Sequence, residues 1–466
     1  MLFNSFSFLV FFVTVYAIFW LLPAWPQKKW LLLIASYLFY AAWNPPYIVL
    51  LLLSTSVDWW LARLIGRTEN SSRRRILLLF SLASNLGLLG YFKYGNFLLE
   101  NFVLWCSAFG IAYQPPALGI ILPIGISFYT FASLSYTIDV YRKEIRSNWK
   151  FTDYALFVGF FPHLVAGPIV RASFLLPQIE KPKLPTANQI GWGFALVCFG
   201  LFAKVVMADS IFAPMVDAAY AHPERSGLLD TWVAVLSFSG QIYYDFSGYS
   251  LCAIGLAMSF GFWFPDNFRY PYGAQSFSDF WRRWHISLSS WLRDYLYIPL
   301  GGNRHGEART YLALFLTMLI GGLWHGASWM FVLWGGLHGI YLAVERAFRK
   351  VPASTLLSPQ GKSALIFLVV TLTWIPFRAA TPNQSIAILH RLFNTSDMGY
   401  IGIPELLALL AIIFTLRWHF VLKDSSIEDA LLKRGQVVRI GVIASSLMGL
   451  FLCSGGNSNA FIYFQF

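Results

Sequence analysis

Runs of apolar residues recur along the whole chain, separated by short polar segments. The longest apolar runs lie at 6–22, 30–43, 47–57, 190–203, 329–344, 406–416 and 440–451. Several of them approach the roughly 20 residues that a helix needs to cross a bilayer. The pattern predicts an all-α polytopic membrane protein with about eleven transmembrane helices, together with re-entrant or interfacial helices.

Composition supports the same class. Of the 466 residues, 57% are hydrophobic and 12% are charged, whereas soluble domains carry about a quarter charged residues. The run at 6–22 has no basic segment before it and no small-residue cleavage site after it, so we expect a first membrane span rather than a signal peptide. Because no long linker interrupts the chain, we expect one membrane domain over 1–466, with a short extracytoplasmic tail at 454–466.

The net charge of +12 is spread over short loops between apolar runs. This distribution indicates orientation in a membrane rather than nucleic-acid binding. The basic segments 63–75, 346–362 and 423–434 are assigned to the cytoplasmic side, with the N-terminus and the C-terminal tail outside.

The region 91–150 does not fit this scheme directly. It contains two apolar stretches and ends in the basic sequence RKEIRSNWK at 142–150. If both stretches crossed the membrane, this basic segment would lie outside, against the usual charge bias. One stretch is therefore expected to be re-entrant or to lie along the interface.

The sequence lacks several common cofactor-binding and metal-binding motifs. The four cysteines are scattered without a CxxC pair, and the chain contains no Walker A, dinucleotide-binding or HExxH motif. We expect neither a metal site nor a disulfide framework.

The densest polar cluster lies at 276–309. Read as one helix, this segment places four polar side chains on one face: Arg282, His285, Ser289 and Arg293. A second face carries Trp281, Trp284, Leu288, Trp291 and Tyr295. The pattern predicts an interfacial helix with its aromatic face in the lipid. Its polar face serves either as an anchor or as a ligand site.

The sequence PLGGNRHGEAR at 299–309 follows this helix. Glycine allows backbone N–H groups to approach an anion, and arginine pairs with phosphate. Arg282, Arg293, Asn303 and Arg304 are therefore candidates for binding the phosphates of coenzyme A or of a phosphopantetheine arm. A solvated turn, which includes His305, is the alternative.

A histidine follows a Gly-Gly pair in GGLWHGASW at 321–329. The apolar run before it is short for a span, so the glycines are expected to break the helix at membrane depth. We expect His325 to stand at the floor of a funnel, where an ionisable residue is functional by default. The alternative is a structural imidazole bonded to a neighbouring helix.

The remaining polar residues in apolar stretches receive structural roles. Asp139, Asp245 and His163 are expected to hold helices together or to orient a histidine, and Lys93 to extend toward the interface. His338 is expected to be a packing residue. Loop positions without a role are expected for His222, His390 and His419.

Two longer motifs carry a family resemblance. FWRRWHISLSSWLRDYLYIPLGGNR (280–304) and LTMLIGGLWHGASW (316–329) resemble the core of the membrane-bound O-acyltransferases, especially the branch that contains the alginate O-acetyltransferase membrane subunit. The segments LPIGISFYTFASLSYTIDVYR, FFPHLVAGPIVR, YYDFSGYSLCAIGLAM and the terminal FIYFQF resemble that branch in the same order.

The resemblance implies a fold and a reaction. The fold is a ring of helices around a central tunnel. The reaction moves an acetyl group from a cytoplasmic thioester, acetyl-CoA or an acyl carrier, across the membrane for O-acetylation of an extracytoplasmic polysaccharide such as alginate, cellulose or peptidoglycan. It also implies an extracytoplasmic partner of the SGNH-hydrolase type and no tightly bound cofactor.

The same resemblance makes His325 the catalytic histidine and His285 the second functional histidine. An imidazole is suited to take a hydroxyl proton as the oxygen attacks a thioester. His285 is expected to position the donor or to polarise its carbonyl. The alternatives are a polysaccharide flippase or transporter, and D-alanyl or lipid acyl transfer by the same fold.

The chain ends in an aromatic tail. Tyr463 is a candidate transient acetyl carrier, reached through the flexible segment SGGNSN, and Phe461, Phe464 and Phe466 are candidates for docking the tail. A tail that docks without carrying an acetyl group is the alternative.

Overall fold

The computed structural model describes residues 1–116, 118–348 and 357–453. These residues form helices, turns and loops, and none of them lies in a β-strand. The chain divides into two compact units: Met1–Phe194 with Ala253–Pro265, and Ala195–Cys252 with Asp266–Phe466. The aromatic tail residues Phe461, Tyr463, Phe464 and Phe466 lie outside the described ranges.

Six helices among the described residues are long and apolar enough to cross a membrane. They are Tyr47–Arg67, Ser71–Ala108, Ala187–Ala221, Pro359–Arg378, Ile403–Leu422 and Gln436–Cys453. The all-α polytopic membrane fold predicted from the sequence is confirmed. The described residues also contain one shorter apolar helix, Phe6–Leu21, and the expected count of about eleven spans stays a prediction.

The first unit is built from nine helices and the start of a tenth. They are α1 Phe6–Leu21, α2 Trp25–Ala41, α3 Tyr47–Arg67, α4 Ser71–Leu89, α5 Gly95–Ala108, α6 Ile126–Tyr141, α7 Phe151–Gly159, α8 Phe161–Leu164 and α9 Ala172–Glu180, followed by α10 Ala187–Phe202. Buried polar side chains join three of them. Asp58 of α3 accepts hydrogen bonds from Ser81 and Asn85 of α4, and Ser81 also donates to Thr137 of α6 at 3.1 Å.

The region 91–150 begins as a continuation of the helix before it. A π-helical segment, Gly90–Tyr94, joins α4 directly to α5, so the first apolar stretch continues one long helix instead of forming a separate span. After α6, the backbone carbonyl of Tyr141 accepts a hydrogen bond from Arg74, and Trp149 accepts one from Trp59 at 2.9 Å. The basic segment 142–150 therefore lies beside the basic loop 63–75, and the expectation of a re-entrant or interfacial stretch stays a prediction.

The second unit contains the remaining helices. They are α11 Ala213–Ala221, α12 Leu228–Ser259, α13 Phe277–Arg283, α14 Ile286–Leu292, α15 Glu307–His325, α16 Trp329–Ala347, α17 Pro359–Arg378, α18 Pro382–Arg391, α19 Ile403–Leu422, α20 Ile427–Leu432 and α21 Gln436–Cys453. α12 also contributes its last residues to the first unit.

The Gly-Gly pair does not break the helix before His325. α15 runs through Gly321 and Gly322 and ends at His325. A Cβ atom on Gly322 would lie 2.2 Å from the carbonyl oxygen of Phe331, and one on Gly335 would lie 2.3 Å from that of Met318. The expected break is therefore wrong, because these glycines let α15 and α16 pack with their backbones in contact.

Candidate active site

The segment 276–309 is not one continuous helix. α13 ends at Arg283, and His285 has a φ of 42°, in the left-handed region that a side chain rarely adopts. A neighbouring loop holds this turn: the N–H of Arg269 donates to the carbonyl of Arg283 at 2.9 Å, and the N–H of Ile286 donates to that of Asn267 at 2.8 Å. The predicted polar face is therefore not formed.

The aromatic residues of this segment do not line a lipid-facing surface. Trp284, Leu288 and Trp291 are buried inside the protein. The ring of Trp284 lies 5.0 Å from that of Trp374 in α17. Since a face that packs on protein and a face that contacts lipid are equally apolar, the sequence pattern did not separate them.

His325 is the last residue of α15 and is buried. Its ring centroid lies 5.2 Å from Trp334 of α16 and 5.4 Å from Phe377 of α17, both nearly perpendicular to it. Gly326 follows with an extended backbone, and a Cβ there would lie 2.1 Å from the ring of Phe331. Glycine at 326 therefore lets the chain turn sharply between α15 and α16.

The structure brings together the two histidines singled out from the sequence. The ring centroids of His285 and His325 lie 6.4 Å apart, and the ring of Trp324 lies near both. His285 is 0% exposed. Two imidazoles from separate elements thus share one buried, aromatic-walled site.

Asn267 is a site residue that the sequence reasoning missed. Its Oδ1 lies 3.1 Å from Nδ1 of His285 and accepts the hydroxyl of Ser287 at 2.8 Å, while its Nδ2 donates to Ser250 at 2.9 Å. The available signal was an Asx residue in a Pro-containing loop, FPDNF, which favours local backbone capping. That signal does not reveal the contact, because His285 is 18 positions away.

A second group of polar atoms is buried beside the histidine pair. Among the described residues, neither ring nitrogen of His338 has a hydrogen-bond partner, nor do the indole nitrogens of Trp281, Trp284 and Trp334. The ring of His338 lies 4.8 Å from Trp334 and 5.1 Å from Trp281. Buried polar atoms are normally paired, so such a cluster within an aromatic wall marks a candidate ligand site.

The predicted phosphate-binding residues lie apart from this pair. Arg282, Arg293, Asn303 and Arg304 are all exposed. The guanidinium of Arg293 contacts Asp294 at 2.7 Å. By contrast, Arg283, which was not singled out, bonds Asp279 and the carbonyl of Lys423 beyond the end of α19. Their role in donor binding stays a prediction.

The structure also bears on the polar residues that were expected to have structural roles or no role. The placement of His419 in or near a loop is wrong, because it is buried in α19 and its Nδ1 accepts the N–H of Tyr272 at 3.2 Å. His222 and His390 are exposed at helix ends. Asp245 forms a buried ion pair with Lys204 at 2.8 Å, in keeping with a helix-joining role.

Potential metal ligands are not clustered among the described residues. Across the part of the chain that the structure describes, no group of three His, Cys, Asp or Glu side chains is arranged to hold a metal ion. The two buried imidazoles, whose ring centroids lie 6.4 Å apart, are groups that can take part in acid–base chemistry.

Comparison with known proteins gives the class. The sequence model of the membrane-bound O-acyltransferase family matches residues 8–375. The chain belongs to that family and is an O-acyltransferase, as the two motifs predicted.

Curated relatives refine the position within the family. The probable alginate O-acetylase AlgI of Pseudomonas aeruginosa is 44% identical over 401 residues, covering 84% of this chain and 75% of the relative. The peptidoglycan O-acetyltransferase of Helicobacter pylori is 39% identical and covers 81% of this chain and 75% of the relative. The teichoic acid D-alanyltransferase of Bacillus subtilis is 24% identical, covering 65% and 82% respectively.

Proposed function

We propose that this chain O-acetylates an extracytoplasmic polysaccharide by carrying an acetyl group across the bacterial inner membrane from a cytoplasmic thioester. The observation that carries the proposal is the buried pair His285 and His325, 6.4 Å apart, in a chain of this family. Relatives named for alginate and for peptidoglycan acetylation are 44% and 39% identical. An alginate-like exopolysaccharide is the first acceptor to test; cellulose and peptidoglycan are the others.

The proposed chemistry needs one proton acceptor. His325 takes the proton of a hydroxyl group as its oxygen attacks the thioester carbonyl carbon. The carbon–sulfur bond breaks, and the imidazolium returns the proton to the departing thiolate. The aromatic wall around His325 supports this role, because exclusion of water limits hydrolysis of the thioester.

The unpaired polar atoms support binding of the donor beside the histidines. A neutral imidazole such as His338 offers one donor and one acceptor, and the indoles of Trp281 and Trp334 offer N–H donors. The pantetheine arm shared by acetyl-CoA and acyl carriers presents amides and a thioester carbonyl, whose hydrogen-bonding groups match this set. We propose this arm as the donor group; it needs no tightly bound cofactor.

The orientation proposed for the chain rests on charge. In the second unit, Arg346 at the end of α16 pairs with Glu307 at the start of α15 at 2.9 Å, which places the basic residues around 304–309 and 346 at one end. A cytoplasmic position for this end agrees with the positive-inside bias. From the charge pattern of the sequence, we also propose an extracytoplasmic N-terminus and tail at 454–466, and an extracytoplasmic SGNH-hydrolase-like partner that places the acetyl group on the sugar.

The test of the function is complementation. The chain, produced with such a partner in an alginate-producing strain that lacks its own membrane O-acetylase, is expected to restore acetyl esters on the polymer, measured by proton NMR. Unacetylated alginate beside acetylated peptidoglycan would move the acceptor assignment to peptidoglycan. Export of unmodified polymer, without any acetylation, would favour a transport function instead.

Labelling tests the orientation. In a cysteine-free background, a cysteine at Arg304, which is exposed, is expected to react with a membrane-impermeant maleimide only after the cells are opened. Thr395, exposed in the turn after α18, is the matched position expected to react in intact cells. Labelling of position 304 in intact cells would contradict the proposed orientation and the donor-side role of this turn.

Substitution tests the carrier role proposed for the tail. Tyr463→Phe removes only the hydroxyl oxygen, so we expect loss of polymer acetylation with unchanged chain level. The matched control is Tyr400→Phe, at an exposed tyrosine, which is expected to leave acetylation unchanged. Normal acetylation by the Tyr463→Phe variant would mean that the tail docks without carrying the acetyl group.

A further inference from the structure

The side-chain amide of Asn267 has a defined orientation. The backbone N–H of Ser287 donates to its Oδ1 at 3.3 Å, and the hydroxyl of Ser287 reaches the same atom at 2.8 Å. A backbone N–H can only donate, so the atom that faces it must be the amide oxygen and not the amide nitrogen. The nitrogen then faces the hydroxyl of Ser250, at 2.9 Å.

This orientation determines the tautomer of His285. Its Nδ1 lies 3.1 Å from Oδ1 of Asn267, an atom that only accepts, so Nδ1 must carry a hydrogen. The ring is 0% exposed, and burial favours the neutral imidazole, which has a single N–H. Its Nε2 therefore presents a lone pair, and that buried atom has no hydrogen-bond partner among the described residues.

We propose that Asn267 is a positioning residue of the acyl transfer: it holds His285 in the Nδ1–H tautomer, so that His285 acts as a hydrogen-bond acceptor through Nε2. This inference rests on the proposed function, since it assigns a role within that reaction. A ring in this tautomer has no N–H at Nε2 to polarise the thioester carbonyl, the role that the sequence suggested for His285.

The hydrogen-bond acceptor of His285, its Nε2, has a partner in the same site, which is His325. When His325 takes the hydroxyl proton, its ring becomes a cation with two N–H groups. One N–H returns the proton to sulfur, and the other has the lone pair of His285 nearby, at a ring separation of 6.4 Å. Rings at that separation leave room for one bridging hydroxyl group between a nitrogen of each ring. In this arrangement Asn267 holds His285, and His285 lies next to the base His325. The three residues thus resemble the general pattern in which a further group orients the base.

The same residue also supports the backbone. The carbonyl of Asn267 accepts the N–H of Ile286, next to the left-handed His285. A role confined to this backbone carbonyl would leave every replacement of Asn267 near the unaltered rate, because each replacement keeps the carbonyl. A positioning role requires an oxygen acceptor at this place, and a carboxylate also supplies one.

Kinetics in inverted membrane vesicles separate these roles. The vesicles come from cells that produce the full chain, the partner and the polysaccharide, with acetyl-CoA as the probe. Asn267→Leu is expected to lower kcat by about 10²-fold, the scale of a general acid–base contribution, with little change in KM for acetyl-CoA. Asn267→Asp, which keeps the oxygen acceptor, is expected to retain most of kcat. Asn383→Leu, which makes the same exchange at an exposed position of α18 outside the site, is the matched control and should resemble the unaltered chain.

The outcomes distinguish the inference from the function. If the unaltered chain transfers acetyl and the Asn267→Leu variant is equally fast, the inference fails alone. An Asn267→Asp variant that folds but is as slow as Asn267→Leu also overturns it. No acetyl transfer by the unaltered chain would refute the proposed function together with the inference. If Asn267→Leu does not accumulate, Asn267→Ala decides the same point.

Discussion

Replacement of His325 by glutamine is expected to abolish measurable acetylation of the polymer while the chain still accumulates in the membrane. Glutamine keeps a polar group of similar length at the end of α15 but cannot take a proton. Loss of general-base action lowers a rate by about 10²- to 10⁴-fold. The measurement is ester content of the polymer by NMR, together with the initial rate of thiol release from acetyl-CoA in vesicles.

The matched control is His390→Gln. His390 is exposed near the end of α18 and has no part in the proposed site. It makes the same chemical exchange, so both rates should equal those of the unaltered chain. A well-accumulated His325→Gln variant with near-normal acetylation would remove the base role from His325. An equal loss in both variants would point to a general effect on the protein.

Addition of one methyl group at Gly335 is expected to destabilise the second unit by disturbing the packing of α15 against α16. The new Cβ would lie 2.3 Å from the carbonyl oxygen of Met318, which belongs to the backbone of α15 and cannot rotate away. Separating two packed helices to admit a methyl group costs about 1–3 kcal/mol, occasionally more. We expect a lower unfolding temperature in detergent and a lower chain level in the membrane.

The adjacent glycine provides the control. A Cβ on Gly336 would meet its nearest atom, in the ring of Phe315, at 3.9 Å, which is ordinary contact. Gly336→Ala should therefore be neutral or slightly stabilising, because alanine is favoured over glycine in a helix by about 1 kcal/mol. Equal unfolding temperatures for the Gly335→Ala and Gly336→Ala variants would show that α15 and α16 separate at little cost.

The identification of His325 as a candidate rested on one sound reason and one incorrect reason. His325 could be identified from the sequence because an ionisable side chain inside an apolar run is rare and expensive. The reason given for its position was nevertheless incorrect: the glycines before it are packing positions within α15. A broken helix and a closely packed pair of helices both place Gly-Gly in an apolar run. Only the contact of α15 with α16 distinguishes these two arrangements.

The face of the 276–309 segment was misassigned for a related reason. Helical periodicity correctly indicated helices on both sides of His285. It did not indicate the left-handed turn at His285, which depends on hydrogen bonds from the 267–269 loop. Nor did it separate aromatic rings in lipid from aromatic rings in the core, because both surroundings are apolar.

The sequence by itself determined the membrane class, the all-α architecture and the family, because span length, hydropathy and motif spacing are local properties. It also singled out both histidines as candidates. The tertiary structure decided three further points. It set the 6.4 Å approach of His285 to His325, the contact of Asn267 with His285, and the burial of His338 among indoles. Each joins residues from elements distant along the chain, and such contacts depend on how helices pack rather than on any local pattern.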